Sequence, residues 1–390
     1  MTTPTLWNID PALTLLGLGA LLACIPLAWW WKVHRQATPL LRLRGLTYVI
    51  LFLTFDLIIF GAFTRLTDSG LGCPDWPGCY GSASPIGAHL HIQAAQTALP
   101  DGPVTTHKAW IEMIHRYLAS TVGAMIIFLT ALSWHWRHRL KKLPHANLIP
   151  APGWAITTLV WVCMQGAFGA LTVTLKLYPA IVTLHLLGGL GLLVLLVLQA
   201  QRYTWAAQTR LSNTSTSQQP TLALKALLTT ALVLTLIQIS LGAWVSTNYA
   251  VLICTDFPTC HGSWWPEMNF TQGFTLLRPL GFDDQGSLLS VAALTAIHYT
   301  HRLMAYAVIG ILLLLGWRLW LFAKIDATIK VFAWGLWSLT LWQLGTGLSN
   351  IILEWPIMAA LMHTAGAALL LVTLCLVLSH FQLSNRCRAL

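Results

Sequence analysis

Four histidines stand at matching places in the two halves of this 390-residue sequence. They are His115 and His185 in the first half, and His301 and His363 in the second. Each lies within or beside a long apolar run, where an ionisable side chain is costly and usually serves a function. Two facing imidazoles at one level of a helix bundle are typical of an axial ligand pair for haem iron. The pattern predicts two such pairs, one in each half.

Two other interpretations of these histidines stay open on the residues alone. Each imidazole could hydrogen-bond a hydroxyl or carbonyl group across neighbouring helices, which is an ordinary role for a single buried histidine. A zinc site is a weaker alternative, because two histidines without an inward cysteine or carboxylate form an incomplete tetrahedral set. Because the four histidines occupy matching positions in the two halves, haem binding is favoured over simple hydrogen bonding and over zinc binding.

One carboxylate distinguishes the two halves. Glu112 precedes His115 by three residues, and the equivalent position in the second half is His298. This spacing puts Glu112 and His115 on one helical face, where a carboxylate can act as an acid, a base or a proton relay. The difference predicts that the first half does chemistry and the second holds a permanent cofactor. The alternative is that Glu112 caps its helix or meets solvent at the water edge.

A haem also requires an apolar slot and cations near its propionate groups. Arg116 and Arg302 directly follow His115 and His301, and we expect them to bind the cofactor in this way. Small surfaces beside the ligands are expected at four glycines, Gly188, Gly189, Gly191 and Gly366.

The composition indicates that a membrane surrounds these residues. Charged residues make up 9% of the chain and apolar residues 56%, whereas soluble domains contain about 25% charged residues. An ordinary soluble enzyme, a disordered chain and a disulfide-dense mini-protein are therefore excluded. The net charge of +10 does not predict a nucleic-acid partner, because the basic residues lie in short loops between apolar runs, where they set membrane orientation.

Nine apolar runs approach the roughly 20 residues that a helix needs to cross the hydrocarbon. Lys and Arg concentrate in every second connection, which predicts an outside N-terminus, a cytoplasmic C-terminus and two long outer loops at 66–111 and 247–297. No Arg-rich leader is present, which favours a bacterial inner membrane. The runs lie near 12–31, 46–64, 116–135, 154–175, 180–200, 224–246, 302–322, 331–352 and 358–379.

An internal repeat divides the chain. Residues 73–79 (CPDWPGC) match residues 254–260 (CTDFPTC), and the histidines follow in the same order in each half. Each repeat holds four spans, so both enter the membrane in the same orientation, and short antiparallel connections predict a four-helix bundle. The predicted fold is an all-α polytopic membrane protein with two parallel four-helix bundles and one extra, peripheral N-terminal helix. The predicted domains are 1–45 for that helix and a basic loop, 46–204 for the first bundle, 205–223 for a polar linker and 224–390 for the second bundle.

The cysteines form two pairs of equal spacing in the predicted outer loops. Cys73 with Cys79, and Cys254 with Cys260, enclose prolines that let the chain turn back, and thiols oxidise outside the cytoplasm. We predict two local disulfides, each of which staples a loop over a bundle end. The sharper alternative is a redox role in which the pairs pass electrons from the site. Three cysteines in apolar runs are expected to be small core residues, Cys24, Cys163 and Cys375.

The segment 61–77 (GAFTRLTDSGLGCPDWP) resembles the opening motif of haem A synthases. The Glu112-x-x-His115-Arg116 element and the repeated His301-Arg302 are similar to that family as well. Residues 255–260 with 264–267 (WWPE) look like the version common in proteobacteria. The resemblance covers the second to ninth runs and both outer loops. The additional N-terminal span departs from it, since family members usually have eight.

The resemblance implies an enzyme that converts haem O to haem A, the cofactor of haem–copper terminal oxidases. It would oxidise the C8 methyl group of the porphyrin to a formyl group. His115 and His185 would receive the substrate, Glu112 would be the catalytic carboxylate, and His301 and His363 would hold a haem b. The expected partners are haem O, the lipid bilayer, a haem O synthase and assembly factors of the terminal oxidase.

Two functions of other classes use the same framework. A diheme b-type membrane cytochrome would transfer electrons through the four histidines without acting on haem, and Glu112 and the cysteines would then be incidental. A transporter with two parallel repeats would contain no haem.

Overall fold

The computed structural model describes residues 10–140, 151–208, 220–324 and 327–386. Within these ranges nine helices contain 22 to 35 residues, and two short helices, α3 (His89–Ala98) and α8 (Phe270–Gly273), lie in the long loops. The long helices are α1 (Asp10–Val33), α2 (Pro39–Leu66), α4 (Thr106–Leu140), α5 (Gly153–Thr174), α6 (Pro179–Gln208), α7 (Leu222–Thr247), α9 (Val291–Phe322), α10 (Ala327–Ile352) and α11 (Ile357–Arg386).

Eight of these helices are long and apolar enough to cross a bilayer. The exception is α10, which has 26 residues but carries Trp, Gln, Ser and Asn side chains that lower its apolar character. The predicted all-α, multi-pass membrane fold is therefore confirmed. The count of nine spans stays a prediction.

The helix starts follow from local capping. Thr38 accepts a hydrogen bond from the Leu41 backbone N–H, and Pro39 occupies the first turn of α2. Ser290 caps α9 in the same manner through the Ala293 N–H, at 3.2 Å. As a result α4 and α9 begin well before the apolar runs expected at 116 and 302, because capped polar turns extend them into the loops. The histidine of each helix thus lies several turns inside it.

The first compact unit contains the described residues among Met1–Leu177 and Arg202–Ala206. Helix α4 is central in it, and α1, α2, α3 and α5 pack against α4. The N-terminal helix, expected at the periphery, lies close along α4: a Cβ built on Gly19 would come 2.5 Å from Cβ of Ser120. Trp30 of α1 is also buried, and its Nε1 donates to the Arg42 carbonyl at 3.0 Å.

The second compact unit contains the described residues among Tyr178–Gln201 and Ala207–Leu390. Helix α9 packs on α7 and α10, and α11 packs on α10 and α7, around a core of leucines such as Leu228, Leu315 and Leu374. Most of α6 falls in this unit, whereas 46–204 was expected to form the first bundle, so the domain boundaries stay a prediction. The expected linker is shorter than 205–223, because α6 continues through Gln208; residues 209–219 lie outside the described ranges.

Candidate functional site

The imidazole of His115 in the first unit packs against Gly61, a glycine of the neighbouring helix. We call a glycine in this position the glycine seat of its histidine. A Cβ built on Gly61 of α2 would lie 3.0 Å from Cε1 of the His115 ring. Phe60 stacks on the same imidazole, with a ring-centroid distance of 6.3 Å and an angle of 9°. The imidazole is half-buried. The missing side chain at Gly61 therefore lets α2 approach the ring closely.

The second unit repeats this seating for both of its histidines. A Cβ built on Gly242 of α7 would lie 2.9 Å from Cε1 of His301, and one built on Gly347 of α10 would lie 3.2 Å from Cε1 of His363. Both histidines belong to the second compact unit. The pairing of His301 with His363 on one metal stays a prediction.

The glycine seats were missed at the sequence level. Glycines were expected beside the predicted ligands, but Gly366 faces Gln343 and Trp342 rather than one of the four histidine rings, and the roles of Gly188, Gly189 and Gly191 stay predictions. The available signal was the alignment of Gly61 with Gly242 in the two repeats, at the same offset as the cysteine pairs.

Asp56 was also missed. It is an exposed acid within the apolar helix α2, one turn from Phe60 on the same helix face. A carboxylate at such a depth is costly. The signal was available, since Asp56 is the one acidic residue in the run 46–64.

Glu112 is buried, with 4% of its surface exposed. Its Oε2 accepts a hydrogen bond from the Cys73 backbone N–H at 2.8 Å, and its Oε1 pairs with the Arg116 guanidinium. Since α4 begins at Thr106, Glu112 is neither a helix cap nor a solvent-facing residue, and that alternative is wrong. The carboxylate instead joins the helix that carries His115 to the first disulfide loop.

His298 takes the place of Glu112 in the second unit and is equally buried, at 4%. Its Nδ1 donates to the Ala250 carbonyl at 2.8 Å, and its Nε2 accepts from Nε of Arg302 at 3.1 Å. This pattern requires a neutral imidazole, because one ring nitrogen donates and the other accepts. The predicted asymmetry between the halves is therefore also one of local charge, carboxylate against neutral ring.

The two arginines bind the disulfide loops. Arg116 donates to the carbonyls of Asp75 at 3.1 Å and Pro77 at 3.0 Å. Arg302 donates to the carbonyls of Asp256 at 2.7 Å and Thr259 at 3.0 Å. Hydrogen bonds to an ionised guanidinium are strong, so both loops are held against the helices that carry His115 and His301. The expected contact with propionate groups stays a prediction.

Both cysteine pairs are disulfide-bonded as predicted, Cys73 with Cys79 and Cys254 with Cys260. All four cysteines are buried, which favours the stapling role over exchange with external thiols. Of the three expected core cysteines only Cys375 is buried. Cys24 and Cys163 are exposed, so that part of the prediction is wrong: apolar character in a span does not distinguish a packed face from a lipid face.

An aspartate organises each disulfide loop. Asp75 accepts the backbone N–H groups of Tyr80 at 2.5 Å and Gly81 at 2.7 Å. Asp256 accepts those of His261 and Gly262 and the Thr259 hydroxyl, the last at 2.6 Å. The Thr259 hydroxyl, helped by these N–H groups, lowers the pKa of Asp256 to about 2.

His185 lies near the start of α6 and is half-buried. It belongs to the second unit, whereas His115 belongs to the first. Two residues before it, the Thr183 hydroxyl contacts the Thr247 hydroxyl of α7 at 3.3 Å. The pairing of His185 with His115 on one metal stays a prediction.

The comparisons with known proteins agree with one another. The family model COX15-CtaA, described as cytochrome oxidase assembly protein, matches residues 44–375. The chain is 36% identical to heme A synthase of Shewanella oneidensis over 334 residues, which cover 86% of this chain and 95% of that protein. For heme A synthase of Halalkalibacterium halodurans the identity is 25% over 323 residues, 81% and 89% of the two chains. For that of Caulobacter sp. it is 26% over 353 residues, 84% and 92%. The family match includes all four histidines, Glu112 and both disulfide loops, and it begins after α1.

Proposed function

The chain belongs to the COX15-CtaA family of cytochrome oxidase assembly proteins, and from that premise we propose that it is a haem A synthase, an oxidoreductase that acts on haem in a membrane. The observation that carries the proposal is the buried carboxylate of Glu112 one turn from His115, replaced by the neutral ring of His298 at the matching place. In a diheme electron carrier this difference between the two halves would have no function, and the comparisons do not favour a diheme electron carrier.

The reaction we propose is oxidation of the C8 methyl group of haem O to a formyl group. Written with water as the source of the oxygen atom, one methyl group and one water molecule give one formyl group, four protons and four electrons, so the site needs a proton acceptor and an external electron acceptor. We assign the substrate to His115 and His185, on the strength of the sequence repeat. Glu112 would take up protons, since a carboxylate one turn from the ligand is within reach of a bound porphyrin.

We propose that the second unit holds a haem b on His301 and His363. The residues present fit such a group: two imidazoles in one compact unit, each packed against a helix glycine whose lack of a side chain leaves room beside the ring. Neutral imidazole is a good iron ligand. Bound there, haem b supplies one-electron transfer, and the chain's part is to hold the two rings at a fixed spacing.

We propose a bacterial inner-membrane location with the N-terminus outside and the C-terminus in the cytoplasm. The alternation of basic and acidic connections supports it. In this orientation the disulfide loops lie on the oxidising side, which suits their bonds. Haem O would come from a haem O synthase, and the product would pass to assembly factors of a terminal oxidase.

The direct test is expression of the full chain in a host that makes haem O but no haem A. We expect haem A in acidic acetone extracts analysed by reversed-phase chromatography, together with haem b in the purified protein. A protein that is purified with haem b but yields no haem A in that host would instead support the diheme electron carrier.

The glycine seat of His301 gives a further prediction. In Gly242→Ala the new methyl group would press on the imidazole, and overpacking of this size is expected to weaken haem b retention by about tenfold. The measurement is haem b per polypeptide by pyridine haemochromogen. Gly345→Ala on α10 is the matched control, because a Cβ there meets nothing within 4 Å. Equal haem content in the two variants would contradict the seating argument.

A further inference from the structure

Polar side chains from neighbouring helices touch both histidine rings of the second unit. Oγ1 of Thr346 on α10 lies 3.0 Å from Nδ1 of His363. The amide nitrogen of Gln238 on α7 lies 3.1 Å from Nδ1 of His301. Thr346 directly precedes the glycine seat of His363, and Gln238 stands one helical turn before that of His301.

A second hydrogen bond of Thr346 determines which group is the donor in its contact with His363. The hydroxyl donates to the Trp342 carbonyl of its own helix at 2.8 Å. Because the hydroxyl proton is donated to that carbonyl, the hydroxyl oxygen accepts a hydrogen bond from Nδ1–H of His363. This fixes the tautomer of His363, so that the lone pair lies on Nε2, for which the described residues provide no hydrogen bond. A lone pair on Nε2 is what an iron ligand requires.

The amide group of Gln238 contacts the His301 ring, and its oxygen atom has no hydrogen-bond donor among the described residues. Its amide nitrogen contacts Nδ1 and the backbone carbonyl of His301, each at 3.1 Å. Its Oε1 is buried, and within the described ranges no hydrogen bond satisfies it. For Oε1 to accept the Nδ1 proton when His301 binds iron through Nε2, the amide group must make a half-turn, and that turn gives up the hydrogen bond from the amide nitrogen to the His301 carbonyl. A buried acceptor without a donor is otherwise costly.

These two polar groups are not repeated in the first half. The offset that aligns Gly61 with Gly242 places Leu57 at the position of Gln238, and the offset that aligns His185 with His363 places Phe168 at the position of Thr346. Neither replacement can form a hydrogen bond through its side chain. The polar pair is therefore a property of the second half and not of the repeat.

We propose that Gln238 and Thr346 are positioning residues that retain haem b in the second unit. They act through the ligands, because an acceptor on Nδ1 fixes the ring orientation and makes Nε2 more basic. Partners of this kind typically change metal affinity by about 10- to 100-fold. A permanent cofactor needs such retention. The inference rests on the proposed function, since it assumes that this half carries the resident haem.

The test compares purified full-length variants with the wild-type protein. Thr346→Val removes the acceptor at nearly constant volume, and Thr346→Ser restores it. Loss of haem b to added apomyoglobin is followed in the Soret band, and the midpoint potential of the haem is measured by redox titration. We expect about 10- to 100-fold faster loss in Thr346→Val and a more positive potential, because a less basic ligand stabilises ferric iron less. Thr346→Ser should restore both values.

Thr340→Val is the matched control. Thr340 lies on the same helix and makes the same bond to a carbonyl four residues back, at 2.6 Å to Leu336. The Thr340→Val variant should leave the rate of haem b loss and the midpoint potential unchanged. Gln238→Leu, which installs the first-half residue, provides an independent variant with the same expected direction as Thr346→Val.

The inference is overturned if Thr346→Val and Gln238→Leu both keep the wild-type rate and potential while the wild-type protein contains haem b and makes haem A. It is also overturned if Thr340→Val changes these values as much as Thr346→Val does. Failure of the proposed function is a distinct result, because the wild-type chain itself would then contain no haem b or make no haem A.

Discussion

Glu112→Gln is expected to lower haem A formation by about 10²- to 10⁴-fold, the range typical of losing a positioned acid–base group. The amide cannot take up the protons that oxidation of the methyl group releases. It can still accept the Cys73 N–H bond through its oxygen, so the first disulfide loop should stay anchored to α4. Haem b should remain in the second unit. The measurement is the ratio of haem A to haem O in extracts, normalised to protein.

The structural role of Glu112 calls for a control that disturbs the same loop without touching α4. Asp75→Asn is suitable, because the Asp75 carboxylate organises that loop through the Tyr80 and Gly81 N–H groups. It should keep most haem A formation. Undiminished haem A in Glu112→Gln would remove the catalytic role, and equal losses in both variants would make Glu112 a loop anchor.

His301→Ala and His363→Ala should each remove nearly all haem b from the purified protein. Each variant would take away one of the two histidines to which we assign haem b, and the methyl group in its place would offer the iron no ligand. Pyridine haemochromogen analysis gives the haem content per polypeptide. Haem A formation should fall with it, since the second unit would lose its route for electrons.

A chemical rescue distinguishes loss of a ligand from loss of the fold. In His363→Gly, added imidazole should enter the gap and restore the Soret band. His380→Ala, on the same helix α11, is the control and should retain full haem b. If His301→Ala and His363→Ala both keep wild-type haem b, the ligand assignment is wrong.

The residues of the candidate site could largely be selected from the sequence. His185 and His363 lie within apolar runs, His115 and His301 directly precede such runs, and the two Cys-x₅-Cys segments reveal the repeat that puts the four histidines in register. The replacement of Glu112 by His298 was visible by the same alignment. These features depend on residue type and order along the chain, which hydropathy and spacing report directly.

Contacts between distant segments could not be obtained in this way. The bond from Cys73 to Glu112 joins residues far apart in the chain, and the glycine seats depend on which helices pack together. The exposed Cys24 and Cys163 show a related difficulty. Lipid is as apolar as a protein core, so hydropathy does not indicate which face of a spanning helix is packed.

The close contact between Gly19 of α1 and Ser120 of α4 has a consequence for the surroundings of the first unit. The family match begins after α1, yet α1 covers one side of the helix that carries His115 and Glu112. On that side an annular acyl chain is replaced by a covalently attached neighbour. Along this flank α4 is thereby shielded from changes in bilayer composition.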